Sequence, residues 1–393
     1  MGSAIKAFSA ICLLWIPVHV ASAGEPYSIP AHWIEGSDVL EPRDVDFQFT
    51  DIAFSSPTDG WIVGQAFFLR ITGGDPLLTF VGHHPLFWTV ATPSASEAWA
   101  GGGEGEVVLW HYSDQTWRPV DLGPLGLQNT SMVKLRFESQ TRGWALLSTL
   151  PPRSEWGPAP IPSSSFLYFD GTTWTKVPAG SGTNPPRLWD MCVDASGSGW
   201  AVGDIPGPGG VILKKEGLTW REVEPPPMPG GAWVLHKVAC LSGGGMVCSG
   251  VIYPDEAGHD PGEGFLLWYE GSWRRVPLPK PFEKYSPETL TVASSDEIWV
   301  FATGSWRDHT FLRFAHGQWS DPPLPTLPGT STGGVRVNAM QFVSPTEAWA
   351  AATKDYGGGV WRGLVFHYKD GAWRNRNWNW HFWRQRWFGL LGH

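Results

Sequence analysis

The amino-acid sequence predicts an all-β protein, a single seven-bladed β-propeller built from four-stranded antiparallel blades. Two Trp-containing patterns recur along the chain at spacings of about 40 to 55 residues, which is the length of a propeller blade. The chain also contains 48 Gly and 35 Pro among 393 residues, and this composition favours many short strands joined by turns. We therefore assign residues 45–377 to the propeller.

The first pattern consists of an apolar strand, a polar turn and a short strand that begins with Trp. Seven positions separate the end of the apolar strand from this Trp, as from Phe54 to Trp61 and from Val193 to Trp200. One copy has Val in place of Trp. The seven copies end at Trp61, Trp99, Trp144, Trp200, Val247, Trp299 and Trp349.

The second pattern is an apolar strand that runs into a tight turn and another Trp. Asp170-Gly171 before Trp174 is typical of the turn of a β-hairpin, so each full repeat holds four short strands. The first repeat lacks this second Trp. The six copies end at Trp117, Trp174, Trp220, Trp273, Trp319 and Trp373.

These repeated residues explain 12 of the 26 Trp in the chain, six from each pattern. Burial of an indole ring removes a large apolar area from water, so a regularly spaced Trp is well suited to a core. We predict that these twelve rings fill the wedges between neighbouring blades and do not bind a ligand.

The charge balance excludes one broad class of function. The chain has 28 Lys and Arg against 37 Asp and Glu, a formal net charge of −9. A nucleic-acid-binding surface needs a clear basic excess to neutralise phosphates. We therefore expect no nucleic-acid partner.

The N-terminus has the features of a cleaved signal peptide, residues 1–23. Lys6 supplies a positive charge, an apolar stretch follows from Ala7 to Val20, and Ala21-Ser22-Ala23 provides the small residues that signal peptidases require. Cleavage is expected between Ala23 and Gly24, which predicts a secreted or periplasmic protein. Residues 24–44 then form a lead-in to the propeller.

The repeats resemble a known group of proteins. Gly199-Trp200-Ala201-Val202-Gly203 and the Asp170-Gly171-Thr172-Thr173-Trp174 turn are similar to Asp-box (sialidase-like) β-propeller repeats, closest to the bacterial photosystem II stability/assembly factor-like propellers. The resemblance covers about residues 45 to 375 and implies the propeller fold. The boxes here are shortened, and the resemblance implies that their Asp residues form structural turns without a catalytic role.

Three cysteines remain after removal of the signal peptide. Cys240 and Cys248 flank Ser242-Gly243-Gly244-Gly245, a natural hairpin turn, so their strands are expected to lie side by side. In an oxidising compartment we expect a disulfide between Cys240 and Cys248. The alternative is that these two and Cys192 are buried reduced thiols, because neighbouring strand positions often miss disulfide geometry.

Long insertions fall in the loops between the inner and outer strand pairs and in the links between blades, and these loops share one face of a propeller. Ligand sites tend to lie at the loop-rich end of a rigid scaffold. The innermost strands also begin at this face, at positions four residues before the end of each apolar strand. These mouth positions are Thr50, Trp88, Val133, Trp189, His236, Glu288 and Asn338.

The mouth positions mix aromatic, acidic, imidazole and amide groups, which suit a sugar or a peptide side chain. The alternative is that they simply plug the mouth of the channel. The candidate ligand-binding residues are Trp88, Trp189, His236, Glu288, Arg336 and Asn338.

An acidic loop after Tyr253 is the only candidate for a cation. Its spacing matches neither an EF-hand nor a zinc site, so we interpret it as a solvated loop, with Ca²⁺ as the weaker alternative. We predict no cofactor. The loop contains Asp255, Glu256, His259, Asp260 and Glu263.

The C-terminal segment 378–393 combines Trp with Arg, including Trp383, Arg384, Arg386 and Trp387. Such segments favour bilayer interfaces and anionic partners. Up to Phe382, alternation of apolar residues also fits an outer strand of the last blade. Beyond that point a membrane or protein contact and simple packing remain equal alternatives.

The sequence contains no motif for catalysis. A sialidase would need several Arg around a carboxylate, yet Arg70 in Phe68–Thr72 has no evident partners. The favoured function is an exported binding or scaffold module that recognises a protein or glycan through the loop-rich face. The alternative is a carbohydrate-active hydrolase or lyase at the channel mouth, where Asp190 and Glu288 are candidate carboxylates.

Overall fold

A computed structural model of the chain shows seven antiparallel sheets arranged in a ring, so the predicted seven-bladed β-propeller is confirmed. Each sheet is one blade, whose four main strands run in chain order from the centre of the ring outward. No helix in the described part of the chain is long and apolar enough to cross a bilayer. The structure describes residues 27–30, 33–34, 48–65, 67–73, 76–80, 86–150, 162–180, 186–205, 209–229, 232–254, 262–305, 308–325, 334–355 and 361–378.

The inner half of each blade is a hairpin whose first strand borders the central channel. Two short strands, β1 (Tyr27–Pro30) and β2 (Trp33–Ile34), precede the first of these hairpins. The innermost strands of blades 1 to 7 are β3 (Phe49–Ser56), β7 (Phe87–Ser94), β11 (Thr130–Ser139), β15 (Arg187–Val193), β19 (Trp233–Cys240), β23 (Ser286–Ser294) and β27 (Val335–Ser344). The second strands are β4 (Asp59–Gly64), β8 (Glu97–Gly102), β12 (Arg142–Thr149), β16 (Gly199–Asp204), β20 (Met246–Ile252), β24 (Glu297–Ser305) and β28 (Glu347–Asp355).

The outer half of each blade is a second hairpin, which starts at the loop-rich face. The third strands are β5 (Phe67–Thr72), β9 (Val108–Ser113), β13 (Ser163–Phe169), β17 (Gly210–Glu216), β21 (Glu263–Tyr269), β25 (Asp308–Ala315) and β29 (Trp361–Lys369). The outermost strands are β6 (Leu77–Phe80), β10 (Thr116–Pro119), β14 (Trp174–Pro178), β18 (Thr219–Glu222), β22 (Trp273–Pro277), β26 (Gln318–Ser320) and β30 (Ala372–Trp378). Short 3₁₀ turns occur at Gly123–Leu125 and Ser242–Gly244.

The ring closes between blade 7 and blade 1, where β27 contacts β3. Two strands from the predicted lead-in reinforce this junction: β1 pairs with β6 at the outer edge of blade 1, and β2 pairs with β30 at the outer edge of blade 7. Both blades therefore contain five strands. The predicted signal peptide, residues 1–23, lies outside the described residues and stays a prediction.

The core consists of seven apolar clusters, one at each interface between neighbouring blades. The first Trp of one blade contacts the second Trp of the next blade, edge to face, with ring centroids 5.0 to 6.5 Å apart and planes inclined at 71 to 86°. Such contacts add about 0.5–1.5 kcal/mol each beyond the area that they bury. The pairs are Trp61–Trp117, Trp99–Trp174, Trp144–Trp220, Trp200–Trp273 and Trp299–Trp373.

Blade 5 has Val247 at the position of the first Trp, and the structure shows how the interface with blade 6 is filled. Val247 lies directly opposite Trp268 on the neighbouring strand, and Trp268 is buried against Phe314 of blade 6. The large ring that fills this interface therefore comes from the third strand of blade 5, whereas in the other blades it comes from the second strand. Trp319, the second Trp of blade 6, is only partly buried and donates its indole N–H to the carbonyl of Pro277 at 3.1 Å.

The interface between blades 7 and 1 also departs from the pattern, because blade 1 has no second Trp. Phe54 of blade 1 stacks on Trp349 at 5.4 Å, and the imidazole of His367 stacks on the same indole at 3.9 Å. Trp99 of blade 2 has an equivalent pair of neighbours beside its second-Trp partner, so these contacts belong to the repeat and do not replace the missing Trp. The described part of this interface therefore has a single indole, packed against the apolar side chains of blade 1.

The predicted disulfide between Cys240 and Cys248 is wrong: Cys240 bonds to Cys192. Cys240 lies opposite Met246, and Cys248 lies opposite Val238, so the two cysteines of the hairpin are diagonal neighbours. Diagonal positions are about 7–8 Å apart, which is too far for a disulfide. Cys192 lies on the innermost strand of blade 4, with its Cα 5.6 Å from that of Cys240, and the bond joins two blades.

Substitution of Trp200 by Ala tests the packing of the interfaces. Trp200 is fully buried between blades 4 and 5. We expect Trp200→Ala to lower the free energy of unfolding by roughly 3 to 5 kcal/mol through the cavity that it leaves. Trp319→Ala is the matched control and should cost about half as much, because this ring is partly exposed. Equal losses in urea denaturation would contradict this account.

Peptide mapping without reductant tests the pairing of the cysteines. We expect a cross-linked peptide that contains Cys192 and Cys240, while Cys248 resists alkylation in the folded protein, because burial raises the pKa of its thiol. Cys192→Ser should lower the free energy of unfolding by about 2–4 kcal/mol, and Cys248→Ser should leave the cross-link intact. A peptide that joins Cys240 to Cys248 would refute the assignment.

Candidate ligand-binding site at the channel mouth

Every innermost strand contains a β-bulge at the same place, where one residue has no partner on the second strand. A bulge redirects side chains and is common beside binding sites. In most of these strands the bulged residue and the next one are polar or aromatic side chains outside the apolar clusters between blades, whereas Val133 and Ala339 still pack in them. The bulged residues are the seven predicted mouth positions, Thr50, Trp88, Val133, Trp189, His236, Glu288 and Asn338.

Blades 4 to 7 enclose a cavity of about 690 Å³ at this face, which we call the mouth cavity. Five of the six predicted ligand-binding residues lie together in its wall: Trp189, His236, Glu288, Arg336 and Asn338. Trp88 does not line this cavity. It lies on blade 2, partly exposed, and donates its indole N–H to the carbonyl of Gly103 at 3.2 Å.

Trp189 is held by an ion pair that sequence reasoning missed. Arg187 forms two hydrogen bonds with the carboxylate of Asp204, at 2.7 and 2.6 Å, and its guanidinium lies 4.7 Å from the centre of the Trp189 ring. The indole N–H of Trp189 donates to Asp204 at 3.2 Å. The ring is fixed in place although 41% of the residue is exposed. A preorganised aromatic surface of this kind suits a ligand.

The other polar side chains of the mouth cavity differ in how many of their hydrogen-bonding groups are left free for a ligand. The guanidinium of Arg336 lies 3.5 Å from a carboxylate oxygen of Glu288, and its side chain is 67% exposed. The amide nitrogen of Asn338 donates to the carbonyl of Phe49 and to the hydroxyl of Thr353. Asn338 therefore ties blade 7 to blade 1, and only its amide oxygen remains for a ligand.

His236 is neutral at pH 7. Burial and the ammonium of Lys237 lower its pKa to about 4, against the opposing charge of Asp204. A neutral imidazole can both donate and accept a hydrogen bond. The mouth cavity thus combines a fixed indole ring, one exposed guanidinium and several hydrogen-bonding groups.

A second cavity of about 480 Å³, the channel cavity, lies below the first and is lined by the innermost strands. Six of the seven residues that follow the bulges line it, and the seventh, Thr89, is buried. Three of the seven accept a backbone N–H from the next blade. These bonds run from Val90 to Asp51 at 3.1 Å, from Leu135 to Thr89 at 2.9 Å and from Val238 to Asp190 at 3.1 Å. The Cys192–Cys240 disulfide also borders this cavity.

Asp51 and Lys134 form a buried ion pair across the channel, with the ammonium 3.1 Å from both carboxylate oxygens. Burial opposes ionisation of Asp51, but Lys134, Arg136 and the amide of Val90 together hold its pKa below the usual value of 3.8. The pair joins blades 1 and 3 across blade 2.

The carboxylates considered for catalysis do not form a pair in one cavity. Asp190 lines the channel cavity and Glu288 lines the mouth cavity. Among the described residues, no group of three or more His, Cys, Asp or Glu side chains could hold a metal ion. Asp255, Glu256, His259 and Asp260 of the acidic loop lie outside the described residues.

Three charged residues of the mouth cavity, Arg187, Asp204 and Lys237, are absent from the predicted ligand-binding residues. A signal for Lys237 existed: the position after the bulge is polar in six of the seven innermost strands, where a core would be apolar. Arg187 and Asp204 are directly opposite each other in the hairpin of blade 4, which the repeat register could have shown.

Known structures share this architecture. The fold is similar to that of YCF48 bound to a D1 peptide, with a TM-score of 0.56 and 15% identity over 86% of this chain and 97% of that one. YCF48 from Cyanidioschyzon merolae gives a TM-score of 0.55 and 14% identity over 84% and 97%. An ulvan lyase, which is a polysaccharide lyase, has a TM-score of 0.46 and 10% identity over 72% and 80%, too low to bear on function.

No protein-family model and no curated protein matches the sequence. The similarity to the YCF48 structures confirms, for the fold, the resemblance to photosystem II assembly factor-like propellers. The fold alone does not determine a ligand. The Asp170 turn fits the structural role that the resemblance implied. Its carboxylate accepts hydrogen bonds from Thr173 and Thr172, which lower the pKa of Asp170 to about 2.

The Asp51–Lys134 pair predicts a pH-dependent contribution to stability. Because the folded pKa of Asp51 lies below 3.8, this contribution is complete above about pH 4 and is lost as the pH falls through the folded pKa. At pH 7, Asp51→Asn should cost roughly 3–5 kcal/mol, since it leaves Lys134 buried without its partner. Urea denaturation at several pH values should show this difference shrinking in acid.

The double variant Asp51→Asn/Lys134→Met is the control for this prediction. It removes both charges, so it should recover much of the stability that Asp51→Asn loses at pH 7. Additive losses from the two substitutions would show that the charges act independently.

Proposed function

We propose that this chain is an exported binding module that recognises a protein or a glycan at the mouth cavity and does not turn it over. The observation that carries the proposal is the fixed, exposed ring of Trp189 beside the partly free groups of Arg336, Glu288 and His236. Concave sites with an aromatic surface and a few convergent polar groups are typical of ligand recognition.

The alternative, a carbohydrate-active hydrolase or lyase, has less support from the mouth cavity. Glycoside hydrolysis needs two carboxylates that can exchange protons or attack the sugar. The described wall contains two, Asp204 and Glu288, but both oxygens of Asp204 accept hydrogen bonds from Arg187. Of these two carboxylates, only Glu288 is left to act as an acid or base.

Two further parts of the proposal concern the ends of the chain. Residues 1–23 would direct export, with cleavage before Gly24, and the Trp/Arg-rich segment 378–393 would contact a membrane surface or a second protein. YCF48 gives a fold-level precedent for a peptide ligand, because it has been seen with a D1 peptide. That precedent does not distinguish a protein ligand from a glycan.

Glycan and peptide arrays probed with the chain from Gly24 onward test the proposal. We expect defined hits that Trp189→Ala and Arg336→Ala each weaken by roughly tenfold or more, because each removes a group from the mouth cavity. Trp88→Ala is the matched control and should bind normally, since this partly exposed Trp of the same ring does not line the mouth cavity.

Hits that survive both mouth substitutions would place recognition elsewhere and refute the proposal. Steady breakdown of a bound glycan, abolished by Glu288→Gln, would instead support the enzyme. A chain that ends at Asn377 should keep every hit that depends on the mouth cavity.

A further inference from the structure

The mouth cavity and the channel cavity meet at a neck formed by Lys237, Thr289 and Asn338, which line both. Lys237 follows the bulged His236 on the innermost strand of blade 5 and is half-buried. Within the described ranges, no carboxylate lies within ion-pair distance of its ammonium and no acceptor bonds to it. The hydrogen-bonding capacity of this partly buried ammonium is therefore available to a ligand.

None of the described carboxylates around the neck is paired with Lys237. Asp204 is bound on both oxygens by Arg187, and Asp51 is bound by Lys134. Glu288 faces Arg336. Asp190 accepts the backbone N–H of Val238 on one oxygen, and its other oxygen is buried without a hydrogen-bond partner. None of these four pairs includes Lys237.

The mouth cavity is locally cationic in a chain whose formal net charge is −9. Its described wall holds three cations, Arg187, Lys237 and Arg336, against two carboxylates, Asp204 and Glu288. Low-dielectric walls strengthen such a local field, so the cavity attracts an anionic group more strongly than the surface around it. The unpaired ammonium at the neck is the natural place for that group.

The remaining wall favours a sugar around this anion. Trp189 offers a fixed flat surface, and the pyranose ring of a sugar has an apolar face that stacks on an indole. His236, Glu288 and the amide oxygen of Asn338 can bond to hydroxyl groups on its rim.

We propose that the neck binds the carboxylate of a uronic acid residue through Lys237, while the sugar ring lies against Trp189. The inference rests on the proposed function and narrows it to acidic glycans. An acidic peptide would also supply a carboxylate. It has few hydroxyl groups, however, to bond with the polar side chains that surround Trp189.

Titration calorimetry with trigalacturonic acid and with its trimethyl ester tests the inference. The ester keeps the sugar rings and removes the charge. We expect the wild-type chain to bind the acid at least about tenfold more tightly than the ester, because a charge-assisted hydrogen bond to the ammonium is lost. Lys237→Gln should abolish this preference, and Lys237→Arg should retain it.

The exposed Lys176 on blade 3 gives a matched control, since Lys176→Gln makes the same change of charge away from the mouth cavity. This variant should keep the preference for the acid. Thermal melting of each variant separates loss of binding from loss of folding, and Lys237→Met provides a second neutral side chain if Lys237→Gln does not fold.

Three results would overturn the inference. Equal binding of acid and ester would show that the neck has no anion site, while the proposed function would stand. Binding of neither probe, with array hits on peptides that depend on Trp189, would make the ligand a protein. A preference for the acid that persists in Lys237→Gln would place the anion at another cation.

Discussion

The contact between the first Trp of one blade and the second Trp of the next is the constraint on which this propeller depends. A blade has no core of its own, and five of the seven interfaces repeat the same edge-to-face pair. Where Val247 stands in place of the first Trp, Trp268 of the same blade fills the interface. This outer packing fixes the angle between blades, so the innermost strands can carry polar side chains at the channel without loss of the core.

The innermost strands use that freedom in two ways. One set of polar side chains connects the blades, through bonds such as Val90 to Asp51 and Val238 to Asp190. The other set, on the bulged residues of blades 4 to 7, faces the mouth cavity. The bulge lets neighbouring residues of one strand take these two roles. Asn338 combines them, because it lines the mouth cavity and also ties blade 7 to blade 1.

Much of the fold could be predicted because Trp spacing and hairpin turns are local signals, and both survive in nearly every repeat. The seven mouth positions followed from the same register. The Cys192–Cys240 bond could not be predicted from hairpin logic, because it depends on the distance between two blades. The role of Asn338 in closing the ring, and the unpaired state of Lys237, depend on which neighbours a side chain meets across blades. No spacing within a repeat contains that information.

The pairing of β2 with β30 has a consequence for the order in which the chain folds. These strands are separated by more than 340 residues of sequence, so their contact carries one of the largest loop-closure costs in the molecule. Blade 1 with β1 is complete within the first 80 residues, whereas its interface with Trp349 forms only after the last blade has been made. Until the last blade is made, the apolar faces of the first and last completed blades lack their partners, and exposed apolar surface of this kind favours aggregation.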